Sequence, residues 1–185
     1  MVRQGVGGLQ SSHVTGYRVI VVTDSGPLIH LAAVNQFHLL NRFFQHLLIT
    51  PQVHEEVFTQ GTGRAGSLEL RQALQEKWIT IEEVADSALI NRLTAPNISK
   101  TDAAVIATAL VHHATLLLAD DIAVRTLAMR EGLTVMGTIG ILVHARLEGI
   151  IDRLQPVLDQ LMAFGFYLDP VGRVYQDALR RVQER

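Results

Sequence analysis

Residues 18–31 read RVIVVTDSGPLIHL, and the fold turns on how that stretch divides. Arg18 to Thr23 is a continuous run of strand formers, the pattern of a strand buried on both faces. Asp24-Ser25-Gly26-Pro27 ends it, and Leu28, Leu31 and Ala32 follow at helical spacing. A bare carboxylate at the mouth of an apolar strand is costly unless something pairs with it. Either the helix that begins near Pro27 takes Asp24 as its cap, or a cation balances it.

Four more short β-rich runs lie downstream: LLIT (47–50), WITIEE (78–83), TLLLA (115–119) and LTVMG (133–137). Between them the apolar residues recur at helical spacing. Pro51 opens PQVHEEVF as a first-turn proline, SLELRQALQEK and DSALINRL are amphipathic, and DIAVRTLAMREG stops at Gly132. SKTDAAVIATALVHH is the strongest helix of all. Apolar strands alternating with helices predict a three-layer α/β/α sandwich around a central parallel sheet of about five strands. Beyond residue 138 only helices are expected. The expected division is a flexible extension over 1–17, an α/β domain over 18–149, and a helical extension over 150–185 packed on the same domain. Val174, Ala178, Leu179 and Val182 would form the packing face of its last helix.

Composition narrows the function classes. With 185 residues and 48% hydrophobic content, one domain with a sizeable core is expected. The formal net charge of −2 provides no global basic field, so contact with an anionic polymer needs a local patch or a metal. Cysteine is absent, which removes disulfides, thiolate metal sites and a thiol nucleophile. No apolar run has membrane-spanning length and the opening residues lack a signal-peptide core, so a cytoplasmic location with no membrane association is expected.

The acids carry the chemistry. Glu56 lies one turn after Val53 and shares its inward face, whereas Glu55 points about 100° away. Asp102 reads as the last member of a capping box with Ser99, and it also lies on the apolar side with Ile106. Asp120 and Asp121 follow the fourth strand. One acid there would be a cap; two repel each other unless a cation is near. Strand ends and following helix starts share one edge of a parallel sheet, so all these acids converge if strands one and four are neighbours. A pocket of hard oxygen ligands selects Mg²⁺ or Mn²⁺ and suits phosphodiester hydrolysis. No HxH or HExxH spacing offers a histidine site.

The order of VVTDSGPLIHLA, TPQVHEEV, TDAAVIATAL and LLLADD resembles PIN domains, and more narrowly the VapC-like toxins. The resemblance spans about residues 18–149, and GTIGILVHARLEGIID is similar to a subfamily with an added C-terminal helical segment. It implies Mg²⁺- or Mn²⁺-dependent endoribonuclease activity on single-stranded RNA, with Asp24, Glu56, Asp102 and Asp121 as catalytic acids and metal ligands. Asp120 is implied as their polar neighbour and a further metal ligand, the two roles being exchangeable, and Ser25 as the residue that orients a ligand or phosphate. An antitoxin partner and a homodimer are also implied. Arg64, Arg125 and Arg130 are candidates for RNA contact. The rivals are a non-catalytic scaffold whose acids only cap helices, a receiver-like module, which would need a lysine after a late strand where this chain has none, and a dehalogenase-type phosphatase, which would need an acid where Gly26 stands.

Overall fold

The computed structural model describes residues 19–61, 65–84, 86–169 and 171–184. The expected extension over 1–17 and Arg64 lie outside these residues. In chain order the elements are β1 (Val21–Thr23), α1 (Ser25–Ala33), α2 (His38–Phe44), β2 (Leu47–Ile49), α3 (Pro51–Gly61), α4 (Ser67–Gln75), β3 (Ile79–Ile81), α5 (Ser87–Leu93), α6 (Lys100–Val111), β4 (Leu116–Leu118), α7 (Ile122–Arg130), β5 (Val135–Met136), α8 (Thr138–Leu147), α9 (Leu154–Phe164) and α10 (Arg173–Arg181). Each of the five strand runs contributes a strand, shorter than the run itself.

The sheet has the order β3-β2-β1-β4-β5 and every pairing is parallel. Val21 lies beside Leu47 on one side and Leu116 on the other. Val21, Val22, Leu47, Ile49, Leu117 and Leu118 have no exposed surface, as expected of strands covered on both faces. The chain builds outward from β1 to β3, then returns to add β4 on the opposite side of β1. That reversal makes the C-terminal end of β1 and β4 the switch point, where α/β sheets open a crevice. The convergence of the acids required this neighbouring of strands one and four.

Local signals explain the boundaries. Ser99 caps α6, its Oγ accepting from the Asp102 N–H at 3.1 Å while Asp102 Oδ2 accepts from the Ser99 N–H at 2.8 Å. Seven consecutive residues of α6, Ala103 to Ala109, are buried. Their small side chains let the helix pass close under β1 and beside α5. α1 begins at Ser25, two residues before the expected start at Pro27.

α10 packs against α8 and α9. Its buried face is Tyr175, Ala178, Leu179 and Val182, while Val174 is 58% exposed. The expected face is therefore corrected at its first member: Tyr175, four residues before Leu179, points inward, and its hydroxyl donates to Asp159 Oδ1 at 2.8 Å. Among the described residues no helix is long and apolar enough to cross a membrane.

Candidate active site

Asp24 occupies the end of β1, and its backbone N–H donates to Leu118 O of β4 at 2.9 Å, which fixes it over the switch point. It stands at the N-cap of α1, yet its side chain makes no capping hydrogen bond, and the backbone N–H that acts on it is that of the adjacent Ser25. The capping account of Asp24 fails on this geometry. The carboxyl is only 8% exposed. Burial pushes its pKa up to about 7, against the pull of the Ser25 N–H, and the negative charges of Asp102, Glu56 and Asp120 push it the same way. No lysine or arginine forms an ion pair with it among the described residues.

The three acids that act on Asp24 arrive from three elements. Glu56 is half-buried on α3, beside the fully buried Val53 and Val57, whereas Glu55 is exposed. Asp102 stands in the first turn of α6 with one oxygen on the Ser99 N–H. Asp120 follows β4. Between α3 and the start of α6 an open cavity of about 370 Å³ is lined by Gln52, Glu55, Glu56, Thr59, Ser99, Thr101 and Asp102.

The two adjacent acids divide their roles. Asp121 is exposed and is the N-cap of α7, its Oδ1 accepting from the Val124 N–H at 2.9 Å. Asp120 turns inward. Its Oδ1 accepts from the Thr138 N–H at 2.7 Å, and its Oδ2 accepts from the Thr138 hydroxyl at 2.6 Å and lies 2.8 Å from His30 Nδ1. The structure thus puts Asp120, and not Asp121, among the charges that act on Asp24. Ser25 is buried directly behind Asp24.

His30 and Thr138 had no assigned role in the sequence. Thr138 could have been found by position, because it starts a helix immediately after a strand, as Ser25 does. His30 offered only a polar side chain within the apolar stretch of α1, and its partner is 90 residues away. Of the candidate arginines, Arg125 donates from Nη1 to Ala119 O at 2.9 Å, next to Asp120, and Arg130 is exposed in the last turn of α7.

Gly137 makes this arrangement possible through space alone. A Cβ there would lie 2.8 Å from Asp120 Oδ1 and 2.9 Å from Arg125 Nη1. Gly137→Ala is therefore expected to push Asp120 off the Thr138 N–H and to cost about 1–3 kcal/mol, as overpacking does. Thermal melting checks it; a midpoint within a degree of wild type would mean that Asp120 is not held as described.

The donor set consists of hard carboxylate oxygens, which fit Mg²⁺ or Mn²⁺ and not softer metals. Among the described residues, no three acidic or histidine side chains are closed up as a ready ligand shell. A Mg²⁺ site does not need one, because the ion keeps several waters and takes only one or two carboxylates directly. The buried, cation-poor Asp24 is the observation that fits such an ion: a divalent charge would do what a proton does there near neutrality.

A family model described as a PIN domain, DUF3368, matches residues 20–184. Among solved structures, a PilT N-terminus domain protein from the hyperthermophilic archaeon Sulfolobus solfataricus P2 is similar over 82% of this chain and 98% of its own, at 13% identity and a TM-score of 0.48. No curated protein matches the chain.

Proposed function

Because the chain belongs to the PIN-domain family, whose members are generally nucleases that use divalent metals, we propose that it is a Mg²⁺- or Mn²⁺-dependent endoribonuclease acting on single-stranded RNA. The observation that carries this reading is Asp24, buried at a switch point with three further carboxylates acting on it and no arginine or lysine paired to it among the described residues. A scaffold has no use for that expense. Asp121 and Asp102 do serve as helix caps, so the scaffold account covers them, but it leaves Asp24 unexplained.

Asp24, Glu56, Asp102 and Asp120 are the residues that would hold the ion, with Asp121 left to cap α7. When bound, a divalent ion supplies positive charge for the developing phosphorane and lowers the pKa of water at the site. The chain supplies orientation. The Ser25 N–H steadies Asp24, the Ser99 N–H steadies one oxygen of Asp102, and Thr138 with His30 steadies both oxygens of Asp120. The three acids held this way, together with Glu56, repel a phosphodiester until a cation is present, so substrate approach is coupled to metal.

The same proposal takes the protein to be a cytoplasmic toxin of a type II toxin–antitoxin pair. Its antitoxin would cover the acidic cavity, and the protein would act as a homodimer. Two measurements test the central claim. Millimolar Mn²⁺ should raise the melting midpoint, because binding at a hundred times the dissociation constant is worth about 2.7 kcal/mol, or about 5–10 °C for a chain of this size. Single-stranded oligoribonucleotide should be cut in Mn²⁺ and not in EDTA. An unmoved midpoint together with an intact oligonucleotide rejects the proposal.

A further inference from the structure

From the last residue of α9 onward the chain reads Phe164-Gly165-Phe166-Tyr167-Leu168. Two of these rings face water, Phe164 at 46% and Tyr167 at 94% exposure. Gly165 sets the turn. It ends α9 at φ 112, a left-handed conformation that other residues adopt only under strain, and the Phe166 N–H returns to Leu161 O at 3.1 Å. Phe166 is the ring that the fold uses: it packs edge-on to His30 with centroids 4.8 Å apart, and Phe164 stands edge-on to the same imidazole at 6.5 Å. His30 Nδ1 is 2.8 Å from Asp120 Oδ2. One imidazole therefore separates this aromatic cluster from the carboxylate pocket.

We propose that Phe164 and Tyr167 form a stacking platform for an unpaired nucleobase, beside the phosphodiester bound at the acids. The placement of that phosphodiester rests on the nuclease reading; the stacking does not. Charge is the reason a platform is needed. Single-strand-binding proteins usually follow the backbone with a basic groove. This chain has a net charge of −2 and a pocket of carboxylates that repels phosphates. A contact that ignores the phosphate adds affinity beside such a pocket, and a ring face offers one to every base. Stacking of one base is worth about 5- to 150-fold in affinity. A protein segment or a second copy would also cover apolar rings. The base is favoured because Phe164 and Phe166 meet the acids through His30, and Tyr167 follows Phe166 directly in the chain.

The test titrates the full chain into a single-stranded oligoribonucleotide carrying 2-aminopurine, with Ca²⁺ present to balance the carboxylates. Wild type should quench the fluorophore on binding. The double variant Phe164→Ala/Tyr167→Ala should bind at least tenfold more weakly and lose the quench, with a melting midpoint no more than a few degrees lower because Phe164 also packs on His30, while Tyr167→Trp retains both binding and quench. A duplex of the same sequence should bind no better than the double variant binds the single strand, because its bases are already stacked. In cleavage assays Tyr167→Ala alone, which leaves both rings on His30 in place, should raise KM and hold kcat. Equal affinity of wild type and double variant, or no binding by either, overturns the platform. So does a shift of the double variant from dimer to monomer in sedimentation with oligonucleotide affinity unmoved, which would assign the rings to a protein interface. A wild type that stacks the base and never cuts upholds the platform and rejects the nuclease; one that cuts with a KM indifferent to both rings does the reverse.

Discussion

Asp24→Asn is expected to make the metal-free protein more stable at pH 8 and to remove its metal-dependent cleavage. Both effects come from one carboxyl. Its folded pKa is raised to about 7, chiefly by burial and then by the charges of Asp102, Glu56 and Asp120. A raised carboxyl costs nothing while protonated, below the unfolded value near 3.9. The cost grows as pH climbs from that value to about 7 and is complete above it, where the folded protein must ionise a group that it holds in a poor solvent. The full shift corresponds to roughly 4 kcal/mol, an upper bound that local relaxation and entering water reduce. Asparagine has the same shape and never ionises. The variant should therefore melt with wild type near pH 4 and several degrees above it at pH 8 in EDTA. With millimolar Mn²⁺ the order should reverse, because only wild type gains binding energy. Groups that merely hydrogen-bond a metal ligand are worth 10–100-fold, so removing a ligand should cost at least about a hundredfold in cleavage rate. A variant that melts below wild type at pH 8 without metal, or that cuts at the wild-type rate, would show that Asp24 is an ordinary buried polar group.

The sequence made the acid at the end of an apolar strand visible, because continuous burial and a terminal carboxylate are incompatible without a counter-charge. It also showed the Ser99–Asp102 capping box, whose two side chains are three residues apart. It could not separate Asp120 from Asp121. Adjacent residues at a strand end point in opposite directions, and which one faces inward depends on Thr138 and His30, 18 and 90 residues away. Helical spacing likewise offered Val174 as a core position, but the tilt of α10 against α8 and α9 chose Tyr175. Local pattern identifies an apolar stripe; its rotation by one residue is set by the neighbours. The aromatic cluster after α9 carried no periodic signal, and its bearing on the acids appears only through contact with His30.

Glu184→Ala is expected to be among the most destabilising single changes outside the acids, at about 3 kcal/mol, though it touches no proposed ligand. The N-terminus of α9 has no cap of its own, since Arg153 stands at the N-cap without a side-chain bond to the helix. Glu184 supplies the missing acceptor from 30 residues away. Its carboxylate accepts from the Leu154 N–H at 2.9 and 3.1 Å, from the Gln155 N–H at 3.0 Å and from Arg146 Nε at 2.9 Å. The close of α10 aims it there. The Glu184 N–H returns to Leu179 O at 2.9 Å and the Gln183 N–H to Arg180 O at 3.1 Å, with Gln183 in the left-handed conformation at φ 60. Burial alone would push the carboxyl up; the Gln155 and Leu154 N–H groups and the Arg146 guanidinium together hold it below the ordinary range. Each charged hydrogen bond contributes about 1.5–3 kcal/mol, and the remaining donors can recover part of that from water. For a depressed carboxyl the stability is present above its unfolded value near 4.3 and is lost as pH falls through the lower folded one. The deficit of Glu184→Ala should thus be complete at pH 7, with a midpoint about 6–12 °C below wild type, and should shrink below pH 4 as wild type protonates. Because α9 leads into Phe164 and Phe166, which brace His30, freeing its N-terminus should also loosen Asp120. In Glu184→Ala the wild-type midpoint at pH 7 would mean that the α9 N–H groups are satisfied by water alone, and that the C-terminal helices are held by their apolar faces without this link.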